Sequence, residues 1–529
     1  MNSYLILLLM LIAHRLNFDI SGRAEFAYSS MAIYVTFIFI FVYQEIGGKH
    51  FKVATIFSFF VAIALYAIPL SYIIYYFSFN IKITKDVFFA ISQTNFNESV
   101  EYINQFISPL WLLFILIFTI TLGYLLIKQE KRETLKIERS LLVFIIIFSF
   151  GTIYVTINDN ILLSFAKNSA SDYRKEINLF KQAQKKIKNR DIQFKSKKTD
   201  IGETYIVVIG ESLNKHHMGI YGYKRETTPL LSKHLQEKNF LLFTNVYSNH
   251  THTMPVLSLS LTEANQYQEK KYYDSPSILD ILKKADIETY WLTNQNLYGP
   301  WDNFISIIAH TSDHLVGINR SVGKRIVSQK YDGELINEVK KVLNKPSKKN
   351  RVVFVHLMGN HGTYDSRYPD EFSIYKDKLK NKSINPYDNS VAYNDYVVNS
   401  ILNEVQNIQG VRGFIYMSDH ADDIDNNLGH NSAKFTFDMT QIPFIAWFSE
   451  EYTNRYPLVF STFKSHRETL FSNDLFYDTL IGIFNIETNN YNKKYDLSNK
   501  KFLLNPDDAI TLHGDIHYTD KNNHFYWKK

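Results

Sequence analysis

Tyr205-Ile-Val-Val-Ile-Gly-Glu-Ser212 decides the reading of the fold. Five apolar residues, four of them β-branched, are halted by Gly210 and followed at once by an acid, which is the pattern of a buried central strand delivering Glu211 to its carboxyl end. In an open α/β sheet that end is where ligands sit. Taken alone, Glu211 is an ordinary loop charge or a neighbour of a helix cap; its weight comes from what surrounds it.

Beyond Asp200 strands and helices alternate, which predicts a parallel sheet with helices on both faces. The candidate strands are Tyr205–Ile209, Glu288–Leu292, Arg351–His356, Gly413–Met417 and Pro443–Phe448. Past four of them lie Glu211, then Asn294-Gln295, then Gly359-Asn360-His361, then Ser418-Asp419-His420. Polar residues suited to a metal or a phosphate thus converge on one sheet edge. Adjacent residues at a strand exit can both turn toward one ion, and Asp419 and His420 with Glu211 suit Zn²⁺. An isolated Asp-His pair would read instead as a capping loop Asp beside a surface His. His430, ten residues further on, reaches the same edge or faces solvent, and spacing leaves both open.

Ser248-Asn-His-Thr-His-Thr-Met-Pro-Val-Leu-Ser-Leu-Ser-Leu261 places Pro255 at a helix start with Thr253 or its neighbour at the N-cap. A hydroxyl there faces free N–H groups and the positive end of the helix dipole, which favour a bound phosphate. It equally reads as a plain cap. His250 and His252 alternate with the threonines and offer weakly supported ligand positions.

The 529-residue chain has no cysteine, so disulfides, Cys-zinc sites and thiol catalysis are excluded and any metal is held by His, Asp, Glu or hydroxyls. Its net charge of +6 is scattered, as on an ordinary surface with membrane flanks, which argues against nucleic-acid binding. Nearly all long apolar runs precede Phe165, in five segments: roughly Tyr4–Ala13, Met31–Tyr43, Val53–Phe79, Ile107–Ile127 and Leu141–Phe165. A span needs about 20 mostly apolar residues, so the last three qualify alone and the first two draw on flanking residues. The first reads as a retained span, because no small-residue cleavage site follows it before His14-Arg15. The Lys/Arg-rich loop Lys128–Arg139, together with Lys49 and Lys52, faces the cytoplasm by the positive-inside rule. Everything after Phe165 then lies across the membrane. From about Lys167 to Asp200, Ile177, Phe180, Ala183 and Ile187 recur at helical spacing, as in an amphipathic connector on the membrane surface or a solvated linker helix.

Ile-Gly-Glu-Ser212, Tyr221-Gly-Tyr-Lys-Arg-Glu-Thr-Thr-Pro229, Thr-His-Thr-Met-Pro255, Tyr290-Trp-Leu-Thr-Asn-Gln-Asn-Leu-Tyr-Gly-Pro-Trp-Asp302, His356-Leu-Met-Gly-Asn-His-Gly362 and Ser418-Asp-His420 occur in this order. The set resembles the bacterial lipid-dependent phosphoethanolamine transferases, over essentially the whole chain. The resemblance implies five transmembrane helices in residues 1–165, an amphipathic periplasmic linker in 166–200 and a periplasmic α/β sulfatase-like domain of the alkaline phosphatase superfamily in 201–529. It places the chain in the bacterial inner membrane; the chain is expected to be a monomer, and its scattered charge gives it no nucleic-acid partner. It implies that Glu211, Asp419, His420 and the hydroxyl of Thr253 bind one Zn²⁺, with a second ion an open question. His361 and His430 would serve the phosphate or that second ion, and Asn294 and Gln295 the substrate. Zinc would make Thr253 a nucleophile toward phosphatidylethanolamine, with His361 or His430 assisting and lipid A, lipooligosaccharide core or another envelope glycan as acceptor. The family's usual Thr after the zinc Glu is Ser212 here. The stretch around Asn296 lacks a substrate-contacting Lys and carries Tyr-Gly-Pro-Trp-Asp302, as in the core-sugar-modifying branch. A membrane-anchored sulfatase or phosphodiesterase using water is the alternative on the same metal edge.

Overall fold

The computed structural model describes residues 2–18, 63, 66–80, 82–84, 87, 103, 107–128, 161–189, 195–295, 304–322, 325–328 and 330–519. The chain forms two compact units whose main boundary falls between Arg174 and Lys175. In the first, α1 (Asn2–Asn17), a helix over 66–79, α2 (Pro109–Lys128) and the start of α3 (Ile161–Asn189) are helical. The expected span over 31–43, most of that over 141–165 and the charged loop over 129–139 lie outside the described residues. Among the described residues no helix is long and apolar enough to cross a membrane; several side chains toward the end of α2 lie outside them. Along the described part of α2, Leu110, Leu113, Leu116, Ile117 and Ile120 are all exposed. The predicted connector is helical in α3, where Ile177 is buried.

The second unit is built on a seven-stranded sheet: β1 (Thr204–Gly210), β2 (Phe240–Phe243), β3 (Glu288–Thr293), β4 (His314–Gly317), β5 (Arg351–His356), β6 (Val411–Ser418) and β7 (Phe444–Phe448). The spatial order is β2-β7-β6-β1-β5-β3-β4. From β6 to β4 neighbouring strands run parallel, with β1 central. The predicted strand Pro443–Phe448 corresponds to β7, but it runs antiparallel to β6. Residues 419–443 contain no helix that could return the chain to the amino edge, so it re-enters the sheet from the edge it left. The short strands β2 and β4 escape the sequence reading because neither is long or regularly patterned.

Side chains of β1 alternate between two cores. Tyr205, Val207 and Ile209 face one with α4 (Thr253–Ser260) and α5 (Ile278–Lys284). Ile206 and Val208 face the other with α6 (Glu334–Leu343) and α7 (Ile384–Gln406). All five are buried, each worth about 1.5–3 kcal/mol as an upper estimate. With both faces covered, polar side chains collect only at the strand ends.

Candidate metal and nucleophile centre

At the exit of β1 the chain is pulled into place by its neighbours. A Cβ on Gly210 would meet the Tyr416 hydroxyl at 2.9 Å, so a larger residue there would have to displace that buried ring. Ser212 then adopts a left-handed conformation (φ 55°) and its N–H donates to Asp419 Oδ1 at 3.1 Å. The Asp419 N–H donates to Gly210 O at 3.2 Å. Two separate strand exits are thereby stitched together, and two carboxylates face one another. From β5, the N–H of Asn360 donates to Glu211 O at 2.9 Å, and Gly359 (φ 51°) packs so closely that an added Cβ would lie 2.8–3.0 Å from Glu211 backbone and Cβ atoms. Asp332 holds this loop, accepting from the N–H groups of Met358 (2.9 Å) and Gly359 (2.8 Å) and from Asn294 Nδ2 (2.7 Å).

Glu211, Asp419 and His420 are all buried and present ligand atoms within 4.8 Å of one another. His420 Nδ1 lies 3.3 Å from the carbonyl of Ala421, which fixes the proton on that nitrogen and leaves the lone pair on Nε2. That atom sits 3.3 Å from Glu211 Oε1 and 3.6 Å from Asp419 Oδ2. Asp419 Oδ2 is buried and accepts no hydrogen bond. Burial and then the Glu211 charge push the Asp419 carboxyl up to about 7, and burial raises Glu211 while it lowers His420. Two like charges, an orphaned oxygen and a neutral imidazole are the donor set of a buried divalent cation. The residues therefore fit zinc.

Thr253 completes the group. Its Oγ1 donates to Glu211 Oε2 at 3.1 Å and lies 3.4 Å from His420 Nε2. The cap position, however, belongs to His252 (φ −128°, ψ 140°), and Thr253 is the first residue of α4. The extended cap residue turns the following side chain outward, so the hydroxyl points to the metal group and not back onto the helix. Thr251 is fully buried with an unpartnered hydroxyl, and Ser248 Oγ donates to the carbonyl of His250 at 2.7 Å. Ser212 Oγ donates to Glu211 Oε1 at 2.8 Å.

His430 is drawn to the same edge, its ring centroid 4.8 Å from that of His420. Its Nδ1 pairs with Asp422 Oδ1 at 2.7 Å; burial lowers its basicity, but Asp422 together with Glu211 and Asp419 outweighs burial and the net shift is upward. His420, Asp422 and His430 form a second group with metal-ligand spacing. His361 stands with its ring centroid 6.3 Å from that of His430, its Nδ1 unpartnered and its pKa lowered by burial to about 3. Gln295 joins the site, donating to Glu211 Oε2 (3.3 Å) and to Leu357 O (2.9 Å). Asn294 does not share those contacts, since its amide nitrogen is committed to Asp332 and to Lys330 O. Residues 296–303, with the Tyr-Gly-Pro-Trp-Asp302 stretch, lie outside the described residues.

Sequence reasoning did not pick out Asp422, Asp332 or the position of His252, whose ring is 5.3 Å from that of His430 and whose Nε2 is 3.2 Å from Ser432 Oγ. An acid two residues past His420 was a readable signal for Asp422. Asp332 carries none, because it acts across the fold.

A family model described as sulfatase matches residues 203–486. The phosphoethanolamine transferase EptC of Escherichia coli (strain K12) is 27% identical over 448 residues, 76% of this chain and 75% of that protein. The solved periplasmic domain of Escherichia coli EptC in complex with Zn superposes with a TM-score of 0.56 at 26% identity, covering 62% of this chain and 95% of that one. The integral membrane protein lipooligosaccharide phosphoethanolamine transferase A of Neisseria meningitidis shares the fold with a TM-score of 0.58 at 19% identity, covering 94% and 95% of the two chains.

Proposed function

Because the chain belongs to the sulfatase family, matched over residues 203–486, we propose that it transfers phosphoethanolamine from phosphatidylethanolamine to an envelope saccharide, lipid A or lipooligosaccharide, with Thr253 as nucleophile. The observation that carries this is the placement of Thr253 Oγ1 at the first turn of α4, 3.1 Å from Glu211 Oε2 and 3.4 Å from His420 Nε2. The name of the Escherichia coli relative supports the group transferred, and the zinc complex of its periplasmic domain supports the metal. Glu211, Asp419 and His420 would hold the ion. Zinc bound there supplies Lewis acidity, lowering the pKa of a neighbouring hydroxyl and offsetting phosphoryl charge.

Glu211 Oε2 receives the Thr253 proton, being the acceptor of its hydrogen bond. Thr253 Oγ1 attacks phosphorus, the bond from phosphorus to the glycerol oxygen breaks, and diacylglycerol leaves with a proton delivered by His430, whose net shift is upward, while His361, kept neutral by burial, faces the phosphoryl group. The free N–H groups at the start of α4 face the phosphoryl oxygens. Asp422 holds His430 through Nδ1 and so directs Nε2 toward the reaction. In the second half His430 takes the proton of an acceptor hydroxyl as its oxygen attacks phosphorus, the bond to Thr253 breaks, and Glu211 returns the proton that restores the Thr253 hydroxyl. Gln295 orients Glu211 throughout.

A lipid donor requires a catalytic edge at a bilayer. We assign residues 1–165 to the membrane, 166–200 to the linker and 201–529 to catalysis on the periplasmic side of the bacterial inner membrane; the exposed apolar side chains of α2 support the anchor. The test is peptide mapping after incubation with phosphatidylethanolamine and no acceptor. The phosphoethanolamine mass belongs on the peptide containing Thr253; its appearance on Ser212, or continuous diacylglycerol release without any acceptor, would replace this reading with another nucleophile or with a hydrolase.

A further inference from the structure

The segment from Ser373 to Ser383 carries Lys376, Lys378, Lys380 and Lys382, all exposed. Some surface lysines elsewhere in the unit pair with acids, as Lys340 does with Glu404 and Lys349 with Asp286, and others stand singly among the described residues. These four make no ion pair among the described residues, and the one acid between them, Asp377, is engaged by Arg225 at 2.8 Å. The segment is nevertheless held firmly. The N–H groups of Ile374 and Tyr375 donate to Asn389 Oδ1 at 3.0 and 2.8 Å, and the Arg225 guanidinium lies 4.8 Å from the Tyr375 ring centroid. At its other end Asn381 Nδ2 donates to Ile424 O at 2.7 Å and Ser383 Oγ to Asn427 Oδ1 at 2.8 Å. Residues 424–427 belong to the loop that joins Asp422 to His430. The basic segment is thus tied directly to the rim of the reaction centre.

An aromatic surface adjoins it. The rings of Phe372, just before the segment, and Tyr396 on α7 lie 5.4 Å apart, and Tyr396 is 40% exposed. We propose that Lys376, Lys378, Lys380 and Lys382, with the Phe372–Tyr396 face, bind the acidic saccharide part of the acceptor, which carries phosphate or carboxylate groups. This rests on the transferase reading and adds the acceptor's charge class and the surface that reads it. Ammonium groups on a fixed backbone attract anionic oxygens, and an aromatic face packs on the C–H face of a sugar ring. A bilayer surface would also attract the lysines, but it needs neither a pinned segment nor a connection to the rim of the site.

The test uses the metal-loaded full chain in detergent without phosphatidylethanolamine, so that binding is read without turnover, with purified lipooligosaccharide and its dephosphorylated form as probes. Wild type binds the phosphorylated form more tightly. The variant K376Q/K378Q/K380Q/K382Q loses roughly tenfold in affinity for it, and both the preference and the loss collapse near about 0.5 M salt. Lys→Arg at all four positions retains binding. Equal affinity of wild type and the Gln variant, or no binding by wild type, overturns the proposal. So does unchanged saccharide affinity combined with an altered dependence of diacylglycerol release on phosphatidylglycerol content in proteoliposomes, which would assign the patch to the bilayer. Without acceptor, the single stoichiometric burst of diacylglycerol from the metal-loaded Gln variant stays at the wild-type level; absence of that burst from wild type itself would instead count against the transferase reading.

Discussion

The two ends of β1 each bury a charged cluster, and the two are built oppositely. At the amino end, Lys198 Nζ meets Glu203 Oε2 at 2.8 Å with both side chains inaccessible, and Glu203 also accepts from the hydroxyls of Tyr205 and Tyr456. Arg455 lies 3.2 Å from Asp200 and 3.5 Å from Glu203. Positive and negative groups are matched there, and the cluster fastens residues 198–203 to the base of the sheet. At the carboxyl end, Glu211 and Asp419 crowd together with a neutral imidazole and an oxygen that accepts nothing. A closed ion network is an anchor; an excess of buried negative charge is a cation's place. The contrast separates them more firmly than burial or residue type, which are shared.

The largest expected effect tests the open end. Thr253→Ala should lower transfer by about three orders of magnitude or more while leaving the fold intact. Asp419→Ala should lose both zinc, measured by metal analysis, and the chelator-induced fall in Tm expected of wild type. Zinc retained at full occupancy by a variant with Ala at 211, 419 and 420 would show that the negative cluster is not the metal's place.

Glu203→Gln tests the closed end. Leaving Lys198 buried without its partner should cost about 3–5 kcal/mol in urea unfolding, with turnover per folded molecule unchanged. A loss of activity without a loss of stability would make this end functional and erase the distinction.

Asp395 offers a pH test away from both ends. It accepts from the N–H groups of Leu230 and Leu231 at 2.9 and 3.0 Å, and burial raises its carboxyl to about 6 against those bonds. The folded state therefore holds this proton more tightly than the unfolded chain. The stabilisation is complete below the unfolded pKa of about 3.9 and is lost as pH rises through about 6, a change on the order of 3 kcal/mol. Asp395→Asn should flatten the urea midpoint between those values, and an unaltered slope would locate the pH dependence elsewhere.

The smallest effect on stability is expected at Gly359. Alanine there meets the Glu211 backbone at 2.8–2.9 Å and a left-handed φ, costing roughly 1–3 kcal/mol. Because the displaced atoms belong to Glu211, transfer should fall more than stability does. Equal losses would mean that the loop from β5 is scaffolding only.

The sequence by itself determined that Tyr205–Ile209 is a buried strand, that Glu211 and Asp419-His420 leave the sheet at one edge, and that Thr253 opens a helix beside Pro255. Those readings rest on chain-local causes: the period of apolar residues, the Gly210 stop and the proline start. Tertiary structure alone decided that β7 runs antiparallel, since the loop between Asp419 and Pro443 stays at the functional edge. It decided that His252 takes the cap while Thr253 turns to Glu211, and that Gln295, rather than its neighbour Asn294, reaches that carboxylate. It also placed Asp422 behind His430 and Asp332 beneath Gly359. Each of these depends on contacts between residues far apart in the chain or on which way one side chain turns, and a strand exit shows where a polar group leaves the sheet without showing what it will touch.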